Sequence, residues 1–544
     1  MNFKGLTFLF ILSLIVFSPV ITSAQKPEAD KIRMAQAWMR YNEEDYRGAL
    51  RIYREMYKIS PEDAQLNFRM GQCYIEIHAM DSALSYLDKA IKADTTIRDD
   101  AYYLIGQAYH YIGDLNKAIE YFLIYKSRLK PKQNDRDFVN VLLQQCYTAR
   151  DNIENPVNVK IANLTNTINS PYVDANPCVS ADGKRLVFTS RRPETTGGKI
   201  DPWTEDYYDD IYISTLDDKT KSWSTAQNIG APINTEFHDA SLSISSDGNS
   251  IFVYKNIENV TRSGDIYISN IKPTGEWSEP KPIDTKNINS SYFESSASMT
   301  ADGNTIYFVS ERKEGFGQAD IYVSKKEGKE WGKPANLGAV INTPYDEIGV
   351  FIHPDGKTLF FSSNGHKTMG GYDLFMSVLE EGKWSEPINL GYPINTTRNE
   401  VHFVMTADRK NAYISSTREG GYGDYDIYHV DMSYYFRSHK DISTELANTL
   451  SGPPLCILKG TVVDAVTSEP IKANVIIKDL NDSKDNLTQS NENGEYFITL
   501  PADHRIEVEV KVKGYKLLNT KFKLPKSENG ETPTMIKHLL LNKE

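Results

Sequence analysis

The chain has 544 residues, too many for one hydrophobic core and enough for about three domains. A net charge of −12, with no clustered stripe of Lys and Arg, excludes the phosphate contacts that nucleic acid demands. An aromatic content of 11%, with 33 Tyr, favours a mainly β-structured chain.

Residues 1–24 combine Lys4, an apolar run from Leu6 to Val20 and a small-residue site at Thr22-Ser23-Ala24. This is the pattern of a cleaved secretory signal, so the mature chain is expected to begin at Gln25. The apolar run is short for an anchor and is broken by Ser13, Ser18 and Pro19, and no later stretch could span a bilayer. Export to the periplasm or to the periplasmic face of an outer membrane is expected. No Cys follows the signal to take a lipid. Cys73, Cys146, Cys178 and Cys456 have neither metal-ligand nor disulfide-framework spacing, which leaves buried free thiols as the expectation.

From Lys31 to about Asn155 the apolar pattern is helical. Ala49, Ala83 and Ala118 recur at intervals of 34 and 35, Gly71 and Gly106 occupy matching places, and Tyr53, Leu87 and Phe122 each follow an Ala by four. This resembles tetratricopeptide repeats, whose paired helices pack through small residues and stack into a solenoid. The resemblance implies an all-α domain over 25–155, with three repeats and a capping helix from Asp137 to Arg150. By position it assigns Met34, Trp38, Tyr41, Phe68, Gln72, Tyr103, Gln107 and His110 to a partner-binding groove. Core packing between repeats is an equal reading for Trp38 and Phe68, and His110 by itself reads as an exposed helical residue.

Between about Val157 and Val430 one pattern recurs five times. An Ile-Asn pair opens each copy at Asn169, Asn234, Asn289, Asn342 and Asn395. An acid follows five residues later at Asp174, Asp239, Glu294, Glu347 and Glu400. Eight residues on stands Asp182, Asp247, Asp302, Asp355 or Asp408, followed by Gly except at Arg409. An alternating apolar strand then leads to Asp-Ile-Tyr or Asp-Leu-Phe, at Asp210, Asp265, Asp320, Asp373 and Asp426, and four copies continue to Trp223, Trp277, Trp331 and Trp384. A period near 50 residues with four short strands per unit predicts a five-bladed β-propeller over 156–432. The fifth copy stops without a Trp strand, and a lone strand at Asn158 to Ile161 precedes the first, so the two are expected to complete one blade and close the ring. Arg409 is expected to need a turn different from that of the Asp-Gly copies.

The five recurrent acids begin the innermost strand of each blade, on the face opposite the Asp-Gly turns. Either each carboxylate caps the backbone of its own Asn connection, or the five gather charge as a ring for a cation or basic peptide. The first copy carries an insertion, since Ser190 to Asp210 spans 20 positions where Ser310 to Asp320 and Ser363 to Asp373 span 10. It holds Asp201, Trp203 and Glu205 to Asp209. A long loop of this kind is either ring packing or a partner site, with Trp203 the candidate contact.

Residues 433–455 are polar, end in Gly452-Pro453-Pro454 and read as a linker. Residues 456–544 alternate strands and turns, as in Asn493-Gly494-Glu495-Tyr496-Phe497-Ile498, and predict a small β-sandwich that resembles carboxypeptidase regulatory-like domains. Signal, tetratricopeptide helices, a TolB-like or WD-like propeller and this sandwich together resemble the multidomain OmpA-family envelope proteins of Bacteroidota, including a component associated with type IX secretion. The resemblance implies a scaffold with protein partners in the cell envelope. The chain does not continue into the OmpA-like domain of that family, so peptidoglycan binding is not expected. There is no nucleophile elbow, no His-Glu-x-x-His and no phosphate loop, and the paired acids recur once per blade as a fold requirement does. A non-catalytic chain without cofactor or metal is expected; the alternative is a propeller that binds a glycan, peptide or cation, or a hydrolase-type propeller enzyme.

Overall fold

The computed structural model describes residues 26–544 apart from 131–134, 202–205, 256–263, 451–453 and the single positions 273, 329, 483 and 529. The expected signal and Trp203 therefore lie outside the described residues. The chain divides into two compact units, Met1–Ile105 and Gly106–Glu544.

The first unit holds α1 (Lys26–Asn42), α2 (Tyr46–Tyr57), α3 (Ala64–Glu76), α4 (Met80–Ala93) and the start of α5 (Asp100–Tyr111). Asp45 and Asp63 start α2 and α3 by accepting from the backbone N–H of Gly48 and Leu66, which removes one orphan donor from each helix end. Successive helices pack in pairs around Ala37, Ala49, Tyr53, Met70 and Ala83. A Cβ on Gly71 would sit 2.5 Å from Leu87 Cγ, so the recurrent glycine marks the closest approach of α3 and α4.

The second unit takes the end of α5, α6 (Leu115–Arg128) and α7 (Asp135–Glu154), then β1 (Lys160–Asn163) and α8 (Thr165–Ile168). Five antiparallel sheets follow. The first is β2 (Asp174–Val179), β3 (Arg185–Ser190), β4 (Asp210–Thr215) and β5 (Gln227–Asn228). The second is β6 (Asp239–Ile244), β7 (Ser250–Lys255), β8 (Asp265–Asn270) and β9 (Lys281–Pro282). The third is β10 (Glu294–Met299), β11 (Thr305–Ser310), β12 (Asp320–Glu327), β13 (Glu330–Trp331) and β14 (Ala335–Asn336). The fourth is β15 (Glu347–Ile352), β16 (Thr358–Ser363), β17 (Asp373–Glu380), β18 (Lys383–Trp384) and β19 (Ile388–Asn389). The fifth is β20 (Glu400–Met405), β21 (Asn411–Ser416) and β22 (Asp426–Asp431), with β1 on its outer edge, Lys160 opposite Asp431 and Asn163 opposite Tyr428. First strands meet in a cycle: β2 lies against β6, β6 against β10, β10 against β15, β15 against β20 and β20 against β2.

The fifth Asp turn keeps the geometry of its siblings, contrary to expectation. Arg409 takes φ 57°, beside 69° to 75° at Gly183, Gly248, Gly303 and Gly356. A side chain in that region costs about 1–2 kcal/mol, and Arg409 Nη2 offsets it with an ion pair 2.8 Å from Asp355. Burial works against the Asp355 charge, yet His353 and Arg409 hold this carboxyl below the usual range.

Within the expected linker, residues 433–450 are packed and not free. α9 (Tyr435–Ser438), α10 (Thr444–Leu450) and Ile442 between them bury Tyr435, Phe436, Ile442, Ala447 and Leu450 in one cluster with Phe360, Phe403 and Tyr428. Helices of four and seven residues are too short for an amphipathic period to stand out, and only the waiting surface of sheets four and five reveals their use.

The chain ends in β23 (Leu455–Asp464), β24 (Asn474–Asp479), β25 (Lys484–Gln489), β26 (Glu495–Pro501), β27 (Arg505–Val510), β28 (Leu518–Lys523), β29 (Thr534–Ile536) and β30 (Leu539–Leu541). They form two four-stranded sheets, one around β23 and β26 and one ordered β25-β24-β27-β28. The sheets share a core of Leu458, Val475, Ile477, Ile498, Ile506 and Val508. Leu455, Ile457 and Phe497 then pack on Ala181 and Ala407 of the Asp turns, and the Thr499 hydroxyl donates to Pro354 O at 2.6 Å. The Asp-turn end of the five-sheet cycle is thus covered by β23 and β26.

Candidate functional site

In the first unit, α1 and α3 bring part of the predicted groove together. Trp38 stacks on Tyr41 with ring centroids 4.9 Å apart, and the Arg69 guanidinium lies 3.5 Å from the Trp38 ring centre. Arg69 also donates to Gln72 Oε1 at 2.8 Å, and Tyr41 donates to Glu76 at 3.0 Å. Trp38, Tyr41 and Gln72 therefore form a half-buried aromatic and amide platform around one cation. Met34 and Tyr103 are half-buried as well. Phe68 is corrected from groove to core, with no exposed surface, because α3 turns it inward.

In the second unit Gln107 is half-buried, and His110 is neither exposed nor a groove residue. It is buried, and its Nε2 lies 2.8 Å from Met369 O, so the ring donates there. Burial drives the imidazole down to about 4 and keeps it neutral. Around it Gln145 of α7 donates to Thr368 Oγ1 and Gly370 O, both at 2.9 Å. The Thr397 hydroxyl donates to Tyr111 O at 3.1 Å, and the Arg398 guanidinium lies 4.7 Å from the centre of the Tyr111 ring. The end of α5 and the middle of α7 are thereby seated on two loops of the β region. No helical periodicity could have shown this, since the partner residues lie more than 200 positions away.

The Ile-Asn pair acquires a role that residue type alone did not predict. Each Asn side chain accepts from one backbone N–H of the preceding sheet and donates to the carbonyl of the same residue, at 2.8 to 3.0 Å. The partners are Ile427, Ile211, Ile266, Ile321 and Leu374 for Asn169, Asn234, Asn289, Asn342 and Asn395. An amide carries one donor and one acceptor side by side and can therefore stand in for a strand residue.

The five acids are all buried, at most 1% exposed. Ser170, Thr235, Ser290, Thr343 and Thr396 each donate a backbone N–H and a hydroxyl to the acid four residues on, at 2.5 to 3.1 Å. Asp174, Asp239, Glu294, Glu347 and Glu400 are thus used inside their own connections. Among the described residues they belong to no group whose carboxylate oxygens could share one ion. A cation also stands beside four of them: Arg192 is 2.8 Å from Asp174, Lys255 2.6 Å from Asp239, Arg312 3.7 Å from Glu294 and Arg418 3.6 Å from Glu400. Each of these cations donates to the carbonyl of the Ile before the Asn. In the fourth sheet His366 takes that carbonyl, Ile341 O, at 2.8 Å. Burial then pushes Glu347 up to about 7 against its hydroxyl and backbone donors.

The first-sheet insertion is anchored at its C-terminal end, Tyr208 and Asp209. Arg191 Nε and His238 Nδ1 each lie 2.8 Å from an oxygen of Asp209, and Tyr208 meets the His238 ring edge-on at 4.4 Å. Burial opposes the His238 charge, but Asp209 outweighs it and holds the imidazole above its ordinary value. Cys73, Cys146, Cys178 and Cys456 are buried and free, with burial raising each thiol to about 11 or 12.

Residues 41–108 and 99–123 match the tetratricopeptide repeat family. The BBSome complex member BBS4 of Bos taurus is 28% identical over 97 residues, 18% of this chain and 18% of that protein, so the chain spans under a fifth of this curated relative. Among solved structures, the Yersinia enterocolitica type III secretion translocator chaperone SycD is 14% identical, with a TM-score of 0.22 over 24% of this chain and 89% of its own. The α-L-arabinofuranosidase PaAbf62A of Podospora anserina is 12% identical, with a TM-score of 0.31 over 47% of this chain and 90% of its own. No helix among the described residues is long and apolar enough to cross a membrane. The N-terminal helices are tetratricopeptide repeats, and the chain that follows them is largely β-sheet.

Proposed function

We propose that this protein is a non-catalytic scaffold that binds protein partners in a bacterial cell envelope, with a signal at 1–24, repeats at 25–155, a five-bladed β-propeller at 156–432 and a regulatory-like β-sandwich at 456–544. The observation that carries the reading is the tetratricopeptide match over 41–123, joined to the half-buried platform of Trp38, Tyr41 and Gln72 around Arg69. Repeat stacks of this kind present large surfaces to other polypeptides. The cyclic order of first strands and the β1–β22 pairing support the propeller, since a closed ring leaves no sheet edge to aggregate. The recurrent acids favour a framework over a reaction centre, because each is already paired within its own repeat. The resemblance to OmpA-family envelope proteins of Bacteroidota supplies the location and a role in envelope assembly or type IX secretion. Crosslinking in intact cells followed by mass spectrometry tests this. The same partner proteins should be recovered repeatedly and be lost with Trp38→Ala combined with Arg69→Ala; a chain that captures none, or that sits in the cytoplasm, is not this scaffold.

A further inference from the structure

The residue two places before each recurrent acid is Tyr172, Phe237, Tyr292, Tyr345 or Arg398. Two of these positions form a pair of one ring and one cation, and Tyr172 meets the Tyr207 ring edge-on with centroids 5.9 Å apart. Arg398 lies 4.7 Å from the centre of the Tyr111 ring brought by α5, and the Lys199 ammonium stands 5.5 Å from the centre of the Phe237 ring. Tyr172 and Tyr345 are 37% and 45% exposed, and among the described residues no Lys or Arg lies over either. The loop whose backbone meets each tyrosine carries a second exposed aromatic residue, Tyr422 for Tyr172 and Phe316 for Tyr345. The glycine after each second ring is pressed against the tyrosine's own carbonyl, where a Cβ would come within 2.0 Å at Gly423 and 1.8 Å at Gly317. In the occupied seat the same loop positions are held by Met369 and Gly370, with Gly370 against the Thr397 backbone.

The charges around these two aromatic pairs are mainly of one sign. Arg312 and Arg418 turn inward to the Ile288 and Ile394 carbonyls, while Glu311, Glu314, Glu419 and Asp424 stay exposed with Lys313. We infer that the Tyr345–Phe316 and Tyr172–Tyr422 pairs are docking sites for arginine or lysine side chains of a basic segment on a protein partner. The site is continuous with the seat of α5 and inverts it. There the loop supplies the cation and the helix the ring; here the loop supplies the ring, so its complement supplies the cation. This rests on the reading of the chain as a partner-binding scaffold and names the chemistry of one partner surface.

The test is a titration of the purified mature chain with an acetylated, amidated 16-residue peptide of alternating Gly and Arg, and with its Gly-Glu counterpart. Only the Arg peptide should bind. Tyr345→Ala and Tyr172→Ala should each weaken binding about threefold and together about tenfold, whereas Tyr345→Phe with Tyr172→Phe, which keeps both ring faces, should leave it nearly unchanged. Equal binding by the double alanine variant would mean general attraction to an acidic protein and would overturn the proposal, as would absence of binding. Cellohexaose binding that is lost in the same variant would make the rings a sugar platform instead. If envelope crosslinks survive in the double alanine variant, the scaffold reading stands and this surface is not its site; Arg-peptide binding with no envelope partner recovered gives the reverse.

Discussion

Glu347 and Asn395 show how much of the β region rests on single polar side chains. Glu347 is fully buried, among the described residues it has no Lys or Arg ion pair like those of its four counterparts, and its carboxyl is raised from 4.5 to about 7. Because the folded value lies above the unfolded one, the folded chain holds the extra proton between about pH 4.5 and 7. The stability due to this group therefore falls as pH rises through that window and is level above it. Glu347→Gln removes the dependence. Between pH 4.5 and 8 the variant should gain on the parent by on the order of 3 kcal/mol in urea unfolding, the size of the shift, and parallel pH profiles would refute the assignment. Asn395 bonds both the N–H and the carbonyl of Leu374. Asn395→Ala strands the buried Leu374 N–H at about 1–3 kcal/mol, while the Leu374 carbonyl keeps the Leu390 N–H, so thermal unfolding should move below that of the parent, with no pH dependence.

At the scale of elements, β1 and α5 each gain their meaning from distant chain. β1 covers the edge of β22, and deleting 157–164 should expose that edge and produce aggregation visible by light scattering. A deleted chain that stays monomeric with unchanged melting would mean that β1 is dispensable. The end of α5 is held through neutral His110, whose imidazole is lowered to about 4. Here the unfolded state takes up the proton first, so stability from this seat is present above about pH 6.5 and is lost as pH falls towards 4. Protection from hydrogen exchange, taken relative to the intrinsic rate at each pH, should fall at the end of α5 and around residues 368–370 between pH 6.5 and 4.5, and His110→Gln should blunt the change.

Across the second unit, the C-terminal sheets and the Asp turns form one surface through Leu455, Ile457 and Phe497. Phe497→Asp buries a charge at that contact and should detach the C-terminal sheets while their own core stays intact. Small-angle scattering should then show a larger radius of gyration with far-UV circular dichroism unchanged; an unaltered radius would show that the contact is not what holds the sheets there.

The local rules of this protein were legible along the chain. Small residues at fixed helical intervals, Asp turns before alternating strands and an Asn followed by an acid five places on all report demands that a few neighbouring residues can satisfy, so the helices, the strands and the capping role of the acids could be read from them. Arg409 departs because a partner outside its repeat, Asp355, lies within reach of a turn that propensity alone would refuse to Arg. The burial of His110, the packing of residues 435–450 and the covering of the Asp turns were not legible, since each depends on two surfaces far apart in sequence meeting edge to edge. The same holds for the rings at Tyr172 and Tyr345. Their place in the repeat is written in the chain, but their exposure follows from where α5 and the first-sheet insertion come to rest, and only the tertiary structure decides that.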